Sequence, residues 1–319
     1  MLLCSAAPAQ TSDAPPRDAE LERVVFQAFP EADGYKCITR NVDLADRRRV
    51  EQRLTFKIHF DELGEHCLTV AFRGRRPVGL IYRRKEEADW GLTEIAWHIT
   101  LDLRVVGFQF IRGRNRHIRA LEQSRFAASL ANADLGKVLA RVAEHERGEH
   151  AERNKEITSL ERTTLRSAAK ALIVTEVVWE REIEKLHDQA IGFDLFPAAA
   201  RFTRRTTTLD MLHGGAGQTV EVKVLYAYDL GNTLLGCVAW SEARDGEQVT
   251  ALRWVIDRDM RVTDVVPTHN VRDLALRKQC SVIKGHALAD PPEQAAALSP
   301  LARTLGATVP ALMQHRSPR

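Results

Sequence analysis

An internal repeat is the feature that most constrains how this chain of 319 residues folds. Gly79, in GRRPVGLIY, is matched by Gly236, in GNTLLGCVAW, which sets an offset of 157 residues. The same offset holds without a gap for further identical pairs: Gly74 and Gly231, Thr93 and Thr250, Trp97 and Trp254, Ile99 and Ile256, Asp102 and Asp259, and Arg104-Val105 and Arg261-Val262. A register kept over this length predicts two tandem copies of one small domain.

Each copy opens with the same short phrase and continues as a series of strands. FPEA begins at Phe29 and FPAA at Phe196, and we assign the longer spacing of this pair to loop. The segments that follow are rich in β-branched and aromatic residues, which predicts strands: CLTVAF, VGLIY, EIAWHI and VVGFQF, then VKVLYAY, LLGCVAW, ALRWVID and VTDVVP. We expect tight turns at Asp102 and Asp259, and a hairpin loop at HGGAG, which starts at His213.

Helical periodicity appears between the two groups of strands. Apolar residues recur at helical spacing from about Ser159 to Asp188, which predicts one helix that closes the first domain. The predicted fold class is α+β, with two tandem copies of a small domain that has a mainly antiparallel sheet and flanking helices. The predicted boundaries are 1–20 for a signal remnant or disordered tail, 21–188 for the first domain and 189–319 for the second.

Charge and hydropathy speak against nucleic-acid binding and against a membrane-spanning segment. The 46 basic residues nearly balance the 43 acidic ones, so we expect no nucleic-acid partner, and we assign Arg47-Arg48-Arg49 and Arg83-Arg84-Lys85 to solvated faces. No stretch approaches the roughly 20 apolar residues of a membrane span, so we expect no integral membrane segment. The opening MLLCSAAPAQ is similar to the end of a secretory signal, which favours a periplasmic or otherwise extracytoplasmic location; a disordered tail is the alternative.

Cysteine and histidine spacing gives no metal signature. The five cysteines lie far apart without C-x-x-C, which speaks against structural zinc, c-type haem and thioredoxin-like chemistry. They are most simply buried small hydrophobes. If the protein is exported, a disulfide such as Cys37 to Cys67 is the alternative. The densest histidine group, His145 to His150, is assigned to a solvated charged linker. We expect no metal site and no set of catalytic residues.

The order of the motifs resembles the FMN-binding domain of flavin-carrying subunits in Rnf-type and sodium-pumping quinone reductases and in NosR-type regulators. That family tends to run from FPxA through a VG hairpin and a strand pair like DGRVVGV to QFxGKxxxDP and a final D-x-x-S/T-G-A-T. This chain carries FPEAD, PVGLIY, TLDLRVVGFQF and SRFAASLANADLGKVL, then FPAAA, LLGCVAW, DRDMRVTDVV, QCSVIKGHALADP and RTLGATV. The resemblance covers nearly the whole chain after its first twenty residues.

The resemblance implies a flavin site in the second domain. In the family, a flavin transferase joins the last threonine of the final motif to the phosphate of FMN, which makes Thr308 the implied acceptor, beside Leu305, Gly306 and Ala307. Glycine and alanine there let backbone N–H groups approach a phosphate. Leu305 departs from the family's Ser/Thr, and a turn of a C-terminal helix is the alternative for LGAT. Trp254 is a candidate to stack on the flavin ring, with core packing as its alternative.

The first copy departs further from the family pattern. The stretch from Glu161 to Ser167 has no glycine and places Arg162 at the glycine position, so we expect no covalent flavin there. Thr164 is expected to be a helix-surface or capping residue. The resemblance implies an FMN-binding, electron-transfer-type protein, more an electron carrier than an enzyme, with a redox or membrane-complex protein as partner. The alternative is a cofactor-free binding or scaffold module that retains the fold.

Overall fold

The computed structural model describes residues 18–58, 63–148, 154–213, 216–245, 248–268, 278, 280–281 and 283–287. The chain divides into two compact units, Met1–His187 (unit 1) and Asp188–Arg319 (unit 2). The helices are α1 (Ala19–Ala28), α2 (Leu44–Glu51), α3 (Ile118–Glu122), α4 (Arg125–Leu130), α5 (Leu135–Glu146), α6 (Lys155–Val178) and α7 (Glu180–Leu195). The strands are β1 (Gly34–Val42), β2 (Gly64–Arg73), β3 (Arg76–Ala88), β4 (Gly91–Ile99), β5 (Val105–Arg112), β6 (Arg201–His213), β7 (Ala216–Tyr228), β8 (Leu234–Asp245), β9 (Gln248–Asp257) and β10 (Val262–Pro267).

Each unit contains one antiparallel sheet in which consecutive strands are neighbours. The sheet of unit 1 has the order β1-β2-β3-β4-β5, and that of unit 2 has the order β10-β9-β8-β7-β6. Antiparallel neighbours need only short connections, which agrees with the close spacing of the strand segments in the sequence. The predicted α+β class with mainly antiparallel sheets is confirmed. Among the residues described, no helix is long and apolar enough to cross a membrane.

The strand register repeats at the offset that the sequence shows. In unit 1, Leu80 of β3 lies opposite Ile99 of β4. In unit 2, Cys237 of β8 lies opposite Ile256 of β9, and both of these residues are shifted by the same 157 positions. Register decides which side chains face the core, so the two hairpins bury equivalent positions.

The predicted turns are confirmed in both units. Asp102 lies in the turn between β4 and β5, and Asp259 in the turn between β9 and β10. The residue after each aspartate has a positive φ, 55° at Leu103 and 60° at Met260, so the two turns share a left-handed backbone position. The HGGAG segment also spans a hairpin connection, because β6 ends at His213 and pairs with β7.

The FPxA phrase ends a helix in each unit and packs on the sheet. Phe29 directly follows α1 and Phe196 directly follows α7. A side chain added at Gly79 would overlap the ring of Phe29, and a Cβ at Gly236 would meet Cε1 of Phe196 at 2.6 Å. The two glycines are therefore the places where these phenylalanine rings approach the strand backbone most closely.

The predicted single helix over about Ser159 to Asp188 is wrong, because two helices occupy this part of the chain. They meet at Trp179, which has no exposed surface and whose indole N–H donates a hydrogen bond to the backbone carbonyl of Ile38 at 3.0 Å. Anchoring this large side chain on β1 interrupts the helix there. Apolar spacing continues on both sides of the break, so periodicity alone gave no sign of it.

Candidate functional site

The residues implied as the flavin site divide between the described and the undescribed parts of the chain. Leu305, Gly306, Ala307 and Thr308 lie outside the described residues. Trp254 lies on β9 with no exposed surface, and its indole N–H donates a hydrogen bond to Oγ of Ser241 at 2.8 Å. Its ring belongs to the core of unit 2.

Trp97, the repeat partner of that tryptophan, occupies an equivalent buried position in unit 1. It has no exposed surface and donates its indole N–H to Oγ of Ser167 at 2.9 Å. A buried indole N–H requires an acceptor, and each unit supplies a serine. In unit 1 the serine comes from α6, whereas in unit 2 it comes from β8. The two tryptophans therefore share a structural role with different partners.

The stretch of unit 1 that corresponds to the flavin motif lies inside α6. Thr164 is fully buried and its hydroxyl donates to the carbonyl of Leu160 at 2.8 Å, so the expectation of a helix-surface or capping residue is wrong. The helix continues through this stretch because it has neither glycine nor proline. Its neighbours Arg162 and Thr163 line a cavity.

That cavity has a volume of about 790 Å³, within the usual range of small-molecule sites. Its lining comes from β2, β3, β4, the segment before β2, and one face of α6. Seven lysine or arginine side chains and five aspartate or glutamate side chains contribute to it. The lining is therefore strongly polar with an excess of positive charge.

Arg84, Glu86 and Lys170 form a group of almost completely buried charges at this cavity. Arg84 donates from Nε to Oε1 of Glu86 at 2.9 Å, and Lys170 donates from Nζ to Oε2 of the same carboxylate at 2.7 Å. The side chains of Arg84 and Glu86 are only 3% and 6% exposed. Burying ions requires close pairing to offset desolvation, and one carboxylate here serves two cations. The assignment of Arg83-Arg84-Lys85 to a solvated face is therefore wrong for Arg84.

Buried Tyr82 and half-buried His66 extend this network to β2. The hydroxyl of Tyr82 forms a hydrogen bond of 2.6 Å with Nδ1 of His66. Arg84 also donates from Nη1 to the Tyr82 oxygen at 3.4 Å. Tyr82, Arg84 and Glu86 alternate along β3 and so face the same side of the sheet. The Y-x-R-x-E spacing is the sequence signal that reasoning from charge runs missed.

The chemistry that this arrangement supports best is recognition of an anion. Guanidinium groups bind phosphate and carboxylate groups through paired hydrogen bonds, and the exposed Arg162 borders the cavity. Among the described residues, no group of three or more His, Cys, Asp or Glu could hold a metal ion.

The expectation that His145 belongs to a solvated charged linker is also wrong. His145 lies in the last turn of α5 as a buried residue, with Nε2 at 3.7 Å from Oε2 of buried Glu161, so it does not belong to a solvated linker. Packing of α5 on α6 accounts for its burial.

The expectation that the cysteines are buried small hydrophobes is wrong for Cys37 and Cys67, which are exposed free thiols.

Comparison with known proteins returns no match to any protein-family model, curated protein or solved structure. The class of the protein is therefore defined by its own geometry. The residues that the structure describes form an α+β fold with a five-stranded antiparallel sheet in each of two units and a polar, cation-rich cavity in unit 1.

Proposed function

We propose that this protein is an FMN-binding electron carrier of an extracytoplasmic compartment, with the flavin held on unit 2 at Thr308. The flavin would supply the redox chemistry, while the chain binds and orients it. The acceptor would be the hydroxyl of Thr308, and the backbone N–H groups near Gly306 and Ala307 would hold the phosphate. A flavin transferase and a redox or membrane-complex protein are the partners that this function requires.

The packing of phenylalanine on glycine carries this proposal. FPxA and the VG hairpin are separate motifs of the flavin-domain resemblance, and Phe29 on Gly79 joins them into one structural unit. Phe196 and Gly236 repeat the arrangement. The motif order thus corresponds to one architecture used twice, which supports interpreting the terminal LGAT as the last motif of the same series.

The cavity of unit 1 gives a second, weaker support. It is bordered by Arg162 and Thr163, which stand in the stretch equivalent to the flavin motif. A ligand-sized space at this place in one copy supports a ligand-binding role for the equivalent place in the other.

The test is to express the full chain together with a flavin transferase in an export-competent host and to record the visible absorbance of the purified protein. The proposal expects a yellow protein whose flavin remains attached after denaturation and desalting. A colourless protein that also fails to bind added FMN contradicts it.

A binding module without flavin is the second candidate function, and the charged cavity favours it. Arg162 occupies the place of the family's glycine and Thr164 is buried, so unit 1 keeps the fold without an accessible acceptor threonine at that position. In this function, unit 1 binds a small anion. Pyrophosphate is a suitable probe: it should raise the melting temperature of the wild type and have less effect on Arg162→Gln. Arg53→Gln, at an exposed ion pair with Glu176, is the matched control.

A further inference from the structure

Cys37 and Cys67 lie on neighbouring strands at the edge of the unit 1 sheet. Cys37 of β1 is opposite Thr69, and Cys67 of β2 is opposite Thr39. Residues directly opposite one another, and residues two apart on one strand, share a face, so the two cysteines are diagonal neighbours on one face. Both are exposed free thiols. The two thiols are close enough for each to influence the pKa of the other.

The two thiols differ in their surroundings. The hydrogen bond from Cys67 lowers the pKa of Cys37 to about 6, burial opposes this, and a contact with Thr69 Oγ1 at 3.5 Å assists it. Among nearby charges, Asp18 raises the pKa of Cys37 and Arg83 lowers it. The hydrogen bond to Cys37 raises the pKa of Cys67, with burial adding to the effect, although Thr69 and Thr39 oppose it. The surroundings of the pair therefore favour the thiolate on Cys37 over the thiolate on Cys67.

We propose that Cys37 and Cys67 form a redox-active dithiol that exchanges with low-molecular-weight disulfides. An exposed thiolate beside a second thiol is the arrangement that reacts in thiol–disulfide exchange. The site lies wholly in unit 1 and requires no flavin. It is therefore independent of the function proposed for Thr308.

The exchange proceeds in two balanced steps. The Cys37 thiolate attacks one sulfur of a small disulfide such as oxidised glutathione, forms a mixed disulfide and releases one glutathione thiolate. The Cys67 thiol then attacks Sγ of Cys37 and expels the second glutathione, which takes up the proton that Cys67 loses. Two protein thiols are oxidised to one disulfide, while one glutathione disulfide is reduced to two thiols.

The position of the pair makes its disulfide easy to reduce. Diagonal neighbours across two strands have Cα atoms about 7–8 Å apart, beyond the usual disulfide span of about 4.4–6.8 Å. Oxidation must therefore draw the two strands together at this edge of the sheet. A disulfide that requires such a shift is more readily reversed than a structural one.

The first test treats the reduced full-length protein with oxidised glutathione at neutral pH and maps the peptides without reduction. We expect a Cys37–Cys67 linkage that dithiothreitol reverses. Cys237 and Cys280 serve as internal controls, because they are buried and burial raises their pKa values to about 12 and about 11. Glutathione adducts on Cys37 without the internal linkage would overturn the proposal.

The second test measures alkylation of Cys37 by iodoacetamide as a function of pH. The rate in wild type should rise with a midpoint near the lowered pKa of about 6. In Cys67→Ala the midpoint should move up toward about 8.5, the ordinary value for a thiol. A midpoint that is the same in both proteins would show that the two thiols do not act together and would overturn the proposal.

Discussion

The ring of Phe29 occupies the space that a side chain at Gly79 would need. Gly79 stands on β3 in the middle of the sheet, and Phe29 belongs to a cluster formed with buried residues of α1. The same relationship holds between Phe196 and Gly236 in unit 2. Phe29 lies in the connection between α1 and β1, and Phe196 in the connection between α7 and β6. Each contact therefore holds such a connection against a strand of the sheet.

Substitution of Gly79 by alanine should destabilise unit 1. The new methyl group overlaps the Phe29 ring, and overpacking of this kind costs about 1–3 kcal/mol. Denaturant unfolding of Gly79→Ala measures the loss. Gly34→Ala is the matched control, because a Cβ at Gly34 meets no atom within 4 Å. Equal stability of the two variants would contradict the close packing.

Replacement of Glu86 by glutamine should be more damaging. It leaves Arg84 and Lys170 buried without their shared carboxylate, and removing one partner of a buried ion pair costs about 3–5 kcal/mol. Glu176→Gln breaks an exposed pair with Arg53 and should cost less than about 1 kcal/mol. Unfolding free energies of the two variants compare them directly, and similar values would exclude a buried network.

The serine acceptors of the two tryptophans make a paired prediction. Ser167→Ala removes the acceptor of the Trp97 indole N–H, and Ser241→Ala removes that of Trp254. An unsatisfied buried donor costs about 1–3 kcal/mol, so both variants should lose stability of this order in chemical denaturation. Ser159→Ala, at a half-buried position of α6, should change stability much less. Losses confined to one unit would show that the tryptophans are not equivalent.

His98 should make stability depend on pH. Burial lowers the pKa of His98 from its ordinary value of 6.5 to about 4. Between these two pH values the unfolded chain binds a proton that the folded chain does not, so stability is complete above about pH 6.5 and falls as the pH drops toward 4. His98→Leu should weaken this decline in unfolding free energy. His187→Gln, at an exposed contact with Asp102, should keep it. If the unfolding free energy of His98→Leu falls with pH as steeply as that of wild type, His98 is not the origin of the pH dependence.

The sequence predicted the sheets because the repeat and the strand pairing obey the same offset. Identical residues such as Ile99 and Ile256 fall at equivalent register positions, and Asp102 and Asp259 fall in equivalent turns. The break between α6 and α7 was not predictable from periodicity. It depends on where Trp179 finds a backbone acceptor on β1, which is a contact between residues far apart in the chain.

The cavity was missed for a related reason. Arg84 stands in a run of basic residues, and a run of charge usually marks a solvated surface. Its alternation with Tyr82 and Glu86 indicated one face of a strand, but α6 packs against β3 and brings Lys170 to Glu86 from another part of the chain. The sequence shows the alternation of side chains along β3, whereas the ion pair between Glu86 and Lys170 depends on tertiary packing.

The measurement that tests the central claim most directly is the intact mass of the full chain after co-expression with a flavin transferase. Wild type, Thr308→Ser, Thr308→Ala and Thr163→Ala should be compared in one experiment. We predict one FMN-sized increment in wild type and in Thr163→Ala, retention of some increment in Thr308→Ser, which keeps a hydroxyl, and none in Thr308→Ala. An unmodified mass in wild type, or an increment that persists in Thr308→Ala, would contradict the assignment of flavin to Thr308.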